Sequence, residues 1–130
     1  MDIKTVTVKK LIKSGFNSLE MNGVKHVKIL PFLSVVQSLE GYYEITLGNN
    51  KTLATQEGGF FIASKGIQQT IIHHENKNTK KCKCRWLFIE VEINHTHTID
   101  DLYDFPTVIN DERKDRLNEL FNSIFEIILN

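Results

Sequence analysis

The stretch GYYEITLGNNKTLATQEGGFFIA, from Gly41 to Ala63, decides how the rest of the chain is read. Tyr43, Ile45 and Leu47 fall on one side of a pleat, and Tyr42, Glu44 and Thr46 on the other. Gly48-Asn49-Asn50-Lys51 then supplies residues that tolerate positive φ, as a tight hairpin requires. Glu57-Gly58-Gly59 interrupts the pattern again before the apolar run Phe60-Phe61-Ile62. The reading is strand, turn, strand, turn, strand: a meander on which neighbouring segments are expected to assemble.

Outward from this stretch, further strand candidates appear on both sides. Thr5–Val8 alternates, Lys9–Lys13 is ambiguous between strand and helix, and Asn17–Gly23 is polar and turn-like. Val24–Leu30 alternates, with Val27 and Ile29 on one face and His26, Lys28 and Leu30 on the other. Pro31 cannot donate to a ladder and marks a bend before Phe32–Leu39. Downstream, Ile67–His74 reads as a strand, Glu75–Lys81 as a loop, and Lys83–Ile93 as the longest strand. In that strand Leu87, Ile89, Val91 and Ile93 share one face, opposite Trp86, Phe88, Glu90 and Glu92. Asn94–Phe105 reads as a polar connector with one helical turn around Asp100–Tyr103.

The period then changes. Leu117, Leu120, Phe121, Ile124, Phe125, Ile127 and Ile128 recur at helical spacing, and Asn110 or Asp111 can cap the segment. About seven or eight short strands followed by one amphipathic helix predict a mainly β sandwich or jelly-roll barrel. The expected division is residues 1–109 for the barrel and 110–130 for the helix.

Bulk composition narrows the function classes. The chain has 130 residues, the length of one domain, and is 41% hydrophobic and 25% charged, ordinary for a globular protein. Its 16 lysines and arginines balance 16 aspartates and glutamates. A neutral chain lacks the excess positive charge that drives nucleic-acid binding. No apolar run approaches the roughly 18 residues a membrane span needs, and lysines interrupt the N-terminal segment where a signal peptide would be apolar. Two cysteines, Cys82 and Cys84, fit free thiols in a reducing, cytoplasmic compartment. Abundant Lys, Asn and Ile are a compositional hint of an AT-rich bacterial source.

The pattern from Ser34 to Asn94, with its terminal helix, resembles the N-terminal cupin-like sensor domain of AraC-type transcription regulators. The likeness rests on Leu39-Glu40-Gly41 leading into Tyr42–Leu47, then Leu53, the turn Glu57-Gly58-Gly59 and the strand Phe60–Ala63. It continues with Lys65-Gly66 before a strand and ends on Trp86–Val91. That family usually has Gly-Asp where this chain has Gly58-Gly59. It often has Pro-Pro at Ser64-Lys65, and His at Gln68 or Gln69. The resemblance implies a small cupin-like barrel that binds a small molecule and dimerises through a helix. DNA contact would come only through a helix-turn-helix domain outside this chain.

Pocket candidates are aromatic or polar residues amid apolar strand positions: Tyr43, Phe60, Ile62, Gln69, Trp86, Phe88 and Glu90. Trp86 and the tyrosines could stack a sugar or other flat face, with Glu90 or Gln69 as hydrogen-bond partners. The dimerisation seam is expected along Leu117, Leu120, Phe121, Ile124, Phe125 and Ile128. No catalytic residue, metal ligand or cofactor is nominated. The His-x-His pair His95 and His97 precedes Asp100 and Asp101, but Ile89 stands where a metal-binding cupin motif has its glycine, and a solvated connector is the simpler reading. Adjacent His73 and His74 point to opposite faces of a strand, and Cys82 with Cys84 lacks a second pair of ligands. Lys77, Lys80, Lys81, Lys83 and Arg85 form a basic cluster, read as a charged loop and strand edge. The principal function reading is therefore an effector-sensing, dimerising domain with no enzymatic activity. The alternative is a stand-alone metal-dependent cupin enzyme, an isomerase or dioxygenase.

Overall fold

The computed structural model describes residues 2–19 and 22–129; the side chains of 12–19 and 128–129 lie outside this description, and with them the expected role of Ile128. Among the described residues ten strands and two helices follow in chain order. The strands are β1 (Val6–Leu19), β2 (Lys25–Ile29), β3 (Leu33–Glu40), β4 (Tyr42–Leu47), β5 (Leu53–Ala54), β6 (Phe60–Ala63), β7 (Gln68–His74), β8 (Cys82–Ile93), β9 (His97–Thr98) and β10 (Val108–Ile109). The helices are α1 (Ile99–Leu102), between β9 and β10, and α2 (Arg113–Leu129). One antiparallel sheet has the order β1-β8-β3-β6-β10, with β9 also paired to β8; the other has the order β2-β7-β4-β5. The chain is thus mainly β with a C-terminal helix, and its two sheets do not close into a barrel.

Packing follows from which strand faces are apolar. Val36, Phe61 and Ala63 of the first sheet meet Tyr43, Ile45, Leu47 and Ile71 of the second. On the opposite face of the first sheet, Leu33, Phe60, Ile62, Leu87 and Ile109 pack against Phe121 and Phe125 of α2. The order of layers is therefore helix, sheet, sheet. Strand β6 lies inside both cores, which explains why all four of its residues are buried despite the pleat. Burying a large apolar side chain stabilises by roughly 1.5–3 kcal/mol, so Phe60 and Phe61 each anchor one core. No described helix is long and apolar enough to cross a membrane.

Several segments depart from expectation. Strand β1 runs on through Asn17 to Leu19, because pairing with β8 continues from Val6↔Ile93 to Leu19↔Cys82 and overrides the polar local sequence. Strand β2 turns its apolar side outward: Val27 and Ile29 are 59% and 61% exposed. Its His26 and Lys28 stand opposite the inward residues Ile71 and Gln69. Helix α2 begins at Arg113, whose backbone N–H donates to Asp111 Oδ1 at 3.0 Å. Asn110 does not cap it. Its amide instead accepts from Gln56 N at 2.7 Å and donates to Ala54 O at 3.0 Å.

Two glycines are required by close approach. Gly41 has φ +76°, and a Cβ there would run into the His74 carbonyl. At Gly59 a Cβ would strike Asn110 Oδ1 and lie 3.0 Å from Gln56 O. The tie made by Asn110 leaves no room for the aspartate that the AraC-type pattern usually carries at this position.

Candidate functional site

The inter-sheet face is assembled by strand register. From the second sheet, Lys28 and Leu47 flank Gln69, His26 stands opposite Ile71, and Tyr43 opposite His73. From the first sheet, Ser34 stands between Ala63 and Phe88, and Val36 between Phe61 and Trp86. Cys84, two residues before Trp86, takes the same side of the pleat and packs against that core. Five of the expected pocket residues, Tyr43, Gln69, Trp86, Phe88 and Glu90, therefore lie on faces turned toward the inter-sheet space. Phe60 and Ile62 do not. They occupy the other face of β6, under α2, because alternation sends neighbours to opposite sides and both sides of this strand are covered.

At one end of this space lie the titratable groups of Tyr43, Cys84 and His73, whose pKa values burial shifts. The Tyr43 hydroxyl hydrogen-bonds the Cys84 thiol, and burial pushes the pKa of both groups up. The Tyr43 ring packs edge-on against Phe61 and His73, with centroids at 5.4 and 4.7 Å. His73 in turn meets His26 at 4.8 Å. Burial, then the neighbouring His26 and Lys28, lowers the His73 pKa to about 4. His73 and His74 point to opposite faces, as expected. His74 stacks on Tyr42 outside the sandwich, with Nε2 3.1 Å from Glu44 Oε1 but without hydrogen-bond alignment.

The other end is aromatic and amide-lined. The rings of Trp86 and Phe88 lie 6.4 Å apart and tilted by 36°, Phe32 adds a third ring 5.1 Å from Phe88, and the Lys28 ammonium sits 5.5 Å from the Phe88 centroid. Gln69, opposite Lys28 in the register and on the inter-sheet face, has 0% exposure. Neither Nε2 nor Oε1 of Gln69 has a hydrogen-bond partner among the described residues, and the same is true of Ser34 Oγ and His73 Nδ1. Both amide atoms are buried so completely that no water-sized space adjoins them. An unmade hydrogen bond of this kind costs about 1–3 kcal/mol per group. Sequence reading missed Ser34, Lys28 and His73 as lining groups. The only signal for them was alternation, which gives faces but not which face is inward.

Elsewhere polar side chains are used structurally. Beneath α2, Arg85 Nε donates to Gln37 Oε1 at 2.7 Å, Gln37 Nε2 to Asn118 Oδ1 at 2.8 Å, and Arg85 Nη2 to the same oxygen at 3.0 Å. The guanidinium lies 5.5 Å from the Phe121 and Phe125 ring centroids, and burial lowers its pKa. Arg85 thus leaves the expected basic cluster: it points to the helix face and is buried. A surface cleft of about 170 Å³ is bordered by Gly41, Tyr42, Glu57, Glu75, Asn76 and Lys77. In it Glu57 Oε1 accepts from Gly41 N at 3.0 Å and Asn76 Nδ2 at 2.8 Å, tying the loop after β7 to the bend before β4.

His95 occupies the turn after β8 at φ +61°, and His97 begins β9. Asp100 accepts from Lys65 N at 2.9 Å, while Asp101 pairs with Lys65 Nζ at 3.2 Å and accepts from Thr98 at 2.7 Å. Among the described residues no group of three or more His, Cys, Asp or Glu is placed to hold a metal ion. The helix seam also differs from expectation. Phe121 and Phe125 are buried, and Leu117 and Ile124 partly buried, against the chain's own first sheet, because that sheet offers an apolar face the helix must cover. Leu120 and Ile127 remain 47% and 78% exposed.

No protein-family model matches this sequence, and no curated protein matches it significantly.

Proposed function

We propose that the chain is the effector-sensing and dimerisation domain of an AraC-type transcription regulator, a cupin-like module acting in the cytoplasm. The family part of this reading is supported by the motif likeness from Leu39 to Val91, and a mainly β two-sheet sandwich with a C-terminal helix is compatible with it. The binding part is carried by one observation: Gln69 is fully buried on the inter-sheet face with both amide atoms unpartnered among the described residues. A finished core would avoid that cost. A binding face keeps such a group because a ligand completes it.

Signal transfer follows from the layering. Strand β6 sends Phe61 and Ala63 toward the inter-sheet face and Phe60 toward Phe121 of α2, at 5.0 Å. A small molecule that parts the sheets shifts β6, and with it the seat of α2. With its main apolar stripe spent internally, α2 offers a narrower dimer seam at Leu120 and Ile127, one heptad apart. DNA contact belongs to a domain outside this chain.

The binding claim is tested by thermal shift of the wild type and Gln69→Leu across a library of small polar metabolites. A compound that raises the melting temperature of the wild type and leaves the variant unmoved supports the reading. A library-wide absence of stabilisation in the wild type sinks it. The family claim is tested by the coding sequence after Asn130. A helix-turn-helix pair supports it, and a stop codon there contradicts it.

A further inference from the structure

We propose that the ligand of the inter-sheet face is a planar cyclic amide or imide: a flat heterocycle carrying an N–H donor beside a C=O acceptor on one edge. This rests on the small-molecule-sensing reading above and names its ligand class. Gln69 offers one donor, Nε2, and one acceptor, Oε1, side by side in a single plane, and neither is partnered among the described residues. The complement of that pair is an acceptor and a donor side by side in the ligand. Carboxamide side chains hold adenine through two such parallel hydrogen bonds. A cyclic cis-amide presents the same arrangement. A carboxylate would satisfy Nε2 but press negative charge against Oε1, and an ammonium would satisfy Oε1 but oppose Nε2.

The walls favour a flat molecule. Trp86, Phe88 and Phe32 supply a run of rings whose successive centroids lie 6.4 and 5.1 Å apart. Such faces stack planar groups better than puckered ones. Lys28, opposite Gln69 in the register, brings a positive charge to the amide's side of the site, where an electron-rich carbonyl is favoured. Ser34, opposite Phe88 and likewise unpartnered among the described residues, is a second hydrogen-bonding group for a further ring carbonyl. Because no water-sized space adjoins the Gln69 amide, entry requires the sheets to part. Among the described residues strand β2 is the edge of its sheet and pairs only with β7, which makes this the side that yields.

Trp86 is the sole tryptophan and reports on the site directly. Its emission is followed while wild-type protein is titrated with uracil, hypoxanthine and 2-pyridone, with 1,3-dimethyluracil and D-glucose as controls. We expect a saturable change with at least one of the three cyclic amides, weakened by about 100-fold or more in Gln69→Leu. If uracil is the binder, 1,3-dimethyluracil, equally flat but without N–H donors, should bind at least about tenfold more weakly. This comparison needs only the wild type and holds even if the variant folds poorly. Saturation by D-glucose with no response to the cyclic amides overturns the ligand class and leaves the sensing reading intact. Equal binding of a cyclic amide to wild type and folded Gln69→Leu overturns it too, as does silence of all three cyclic amides.

Discussion

His73 shows how the inter-sheet environment acts on one residue. A histidine in an unfolded chain titrates near 6.5, and burial lowers this one to about 4. Between those values the unfolded chain holds a proton that the folded chain does not. Stability therefore falls as pH drops from about 6.5 through about 4, and this contribution is fully present only above that window. We expect the melting temperature to decline over this range, and the His73→Leu variant to show a flatter profile. Equal slopes for both proteins would contradict the assignment. At Gly41, replacement by alanine combines a positive φ with a collision at the His74 carbonyl. It should cost roughly 2 kcal/mol or more in urea unfolding; a neutral effect would show that the bend before β4 can relax.

At the scale of elements, β6 and α2 carry the packing. Phe121→Ala empties the seat opposite Phe60 and should destabilise by about 3–5 kcal/mol, measured by chemical denaturation. Leu120→Ala, on the exposed side of the same helix, should change stability by less than about 1 kcal/mol. Much of this level was legible in sequence. The alternation Tyr43, Ile45, Leu47 gave the inward face of β4, and the apolar period after Arg113 gave α2. What stayed hidden was set by partners distant in sequence. Double coverage of β6 depends on a helix that begins some fifty residues later, about five turns long. The two-residue strands β9 and β10 are too short to show a period, and β1 keeps its polar second half in the sheet only because β8 is long enough to pair with it.

For the whole molecule, the same logic separates what the candidate site revealed from what it concealed. Residue types suited to a pocket were visible, and Tyr43, Gln69, Trp86, Phe88 and Glu90 do share the inter-sheet side. Phe60 and Ile62 look identical to pocket residues until the helix is placed over them. The apolar helix stripe was equally ambiguous between a partner chain and the chain's own sheet. Phe121 and Phe125 serve the sheet, while Leu120 and Ile127 stay exposed. We expect a dimer by light scattering at micromolar concentration, converted to a folded monomer by combining Leu120→Glu with Ile127→Glu. A wild-type monomer, or a dimer indifferent to both changes, would remove α2 as the seam.

If the inter-sheet face is a binding surface, it is incomplete without its ligand, unlike a finished core. The unliganded stability of Gln69→Leu tests this most directly, because leucine matches the volume and removes both unpartnered amide groups. Urea unfolding should show the variant more stable than wild type by about 1–3 kcal/mol. A variant less stable than wild type would mean that the fold already satisfies the Gln69 amide, and would contradict the account.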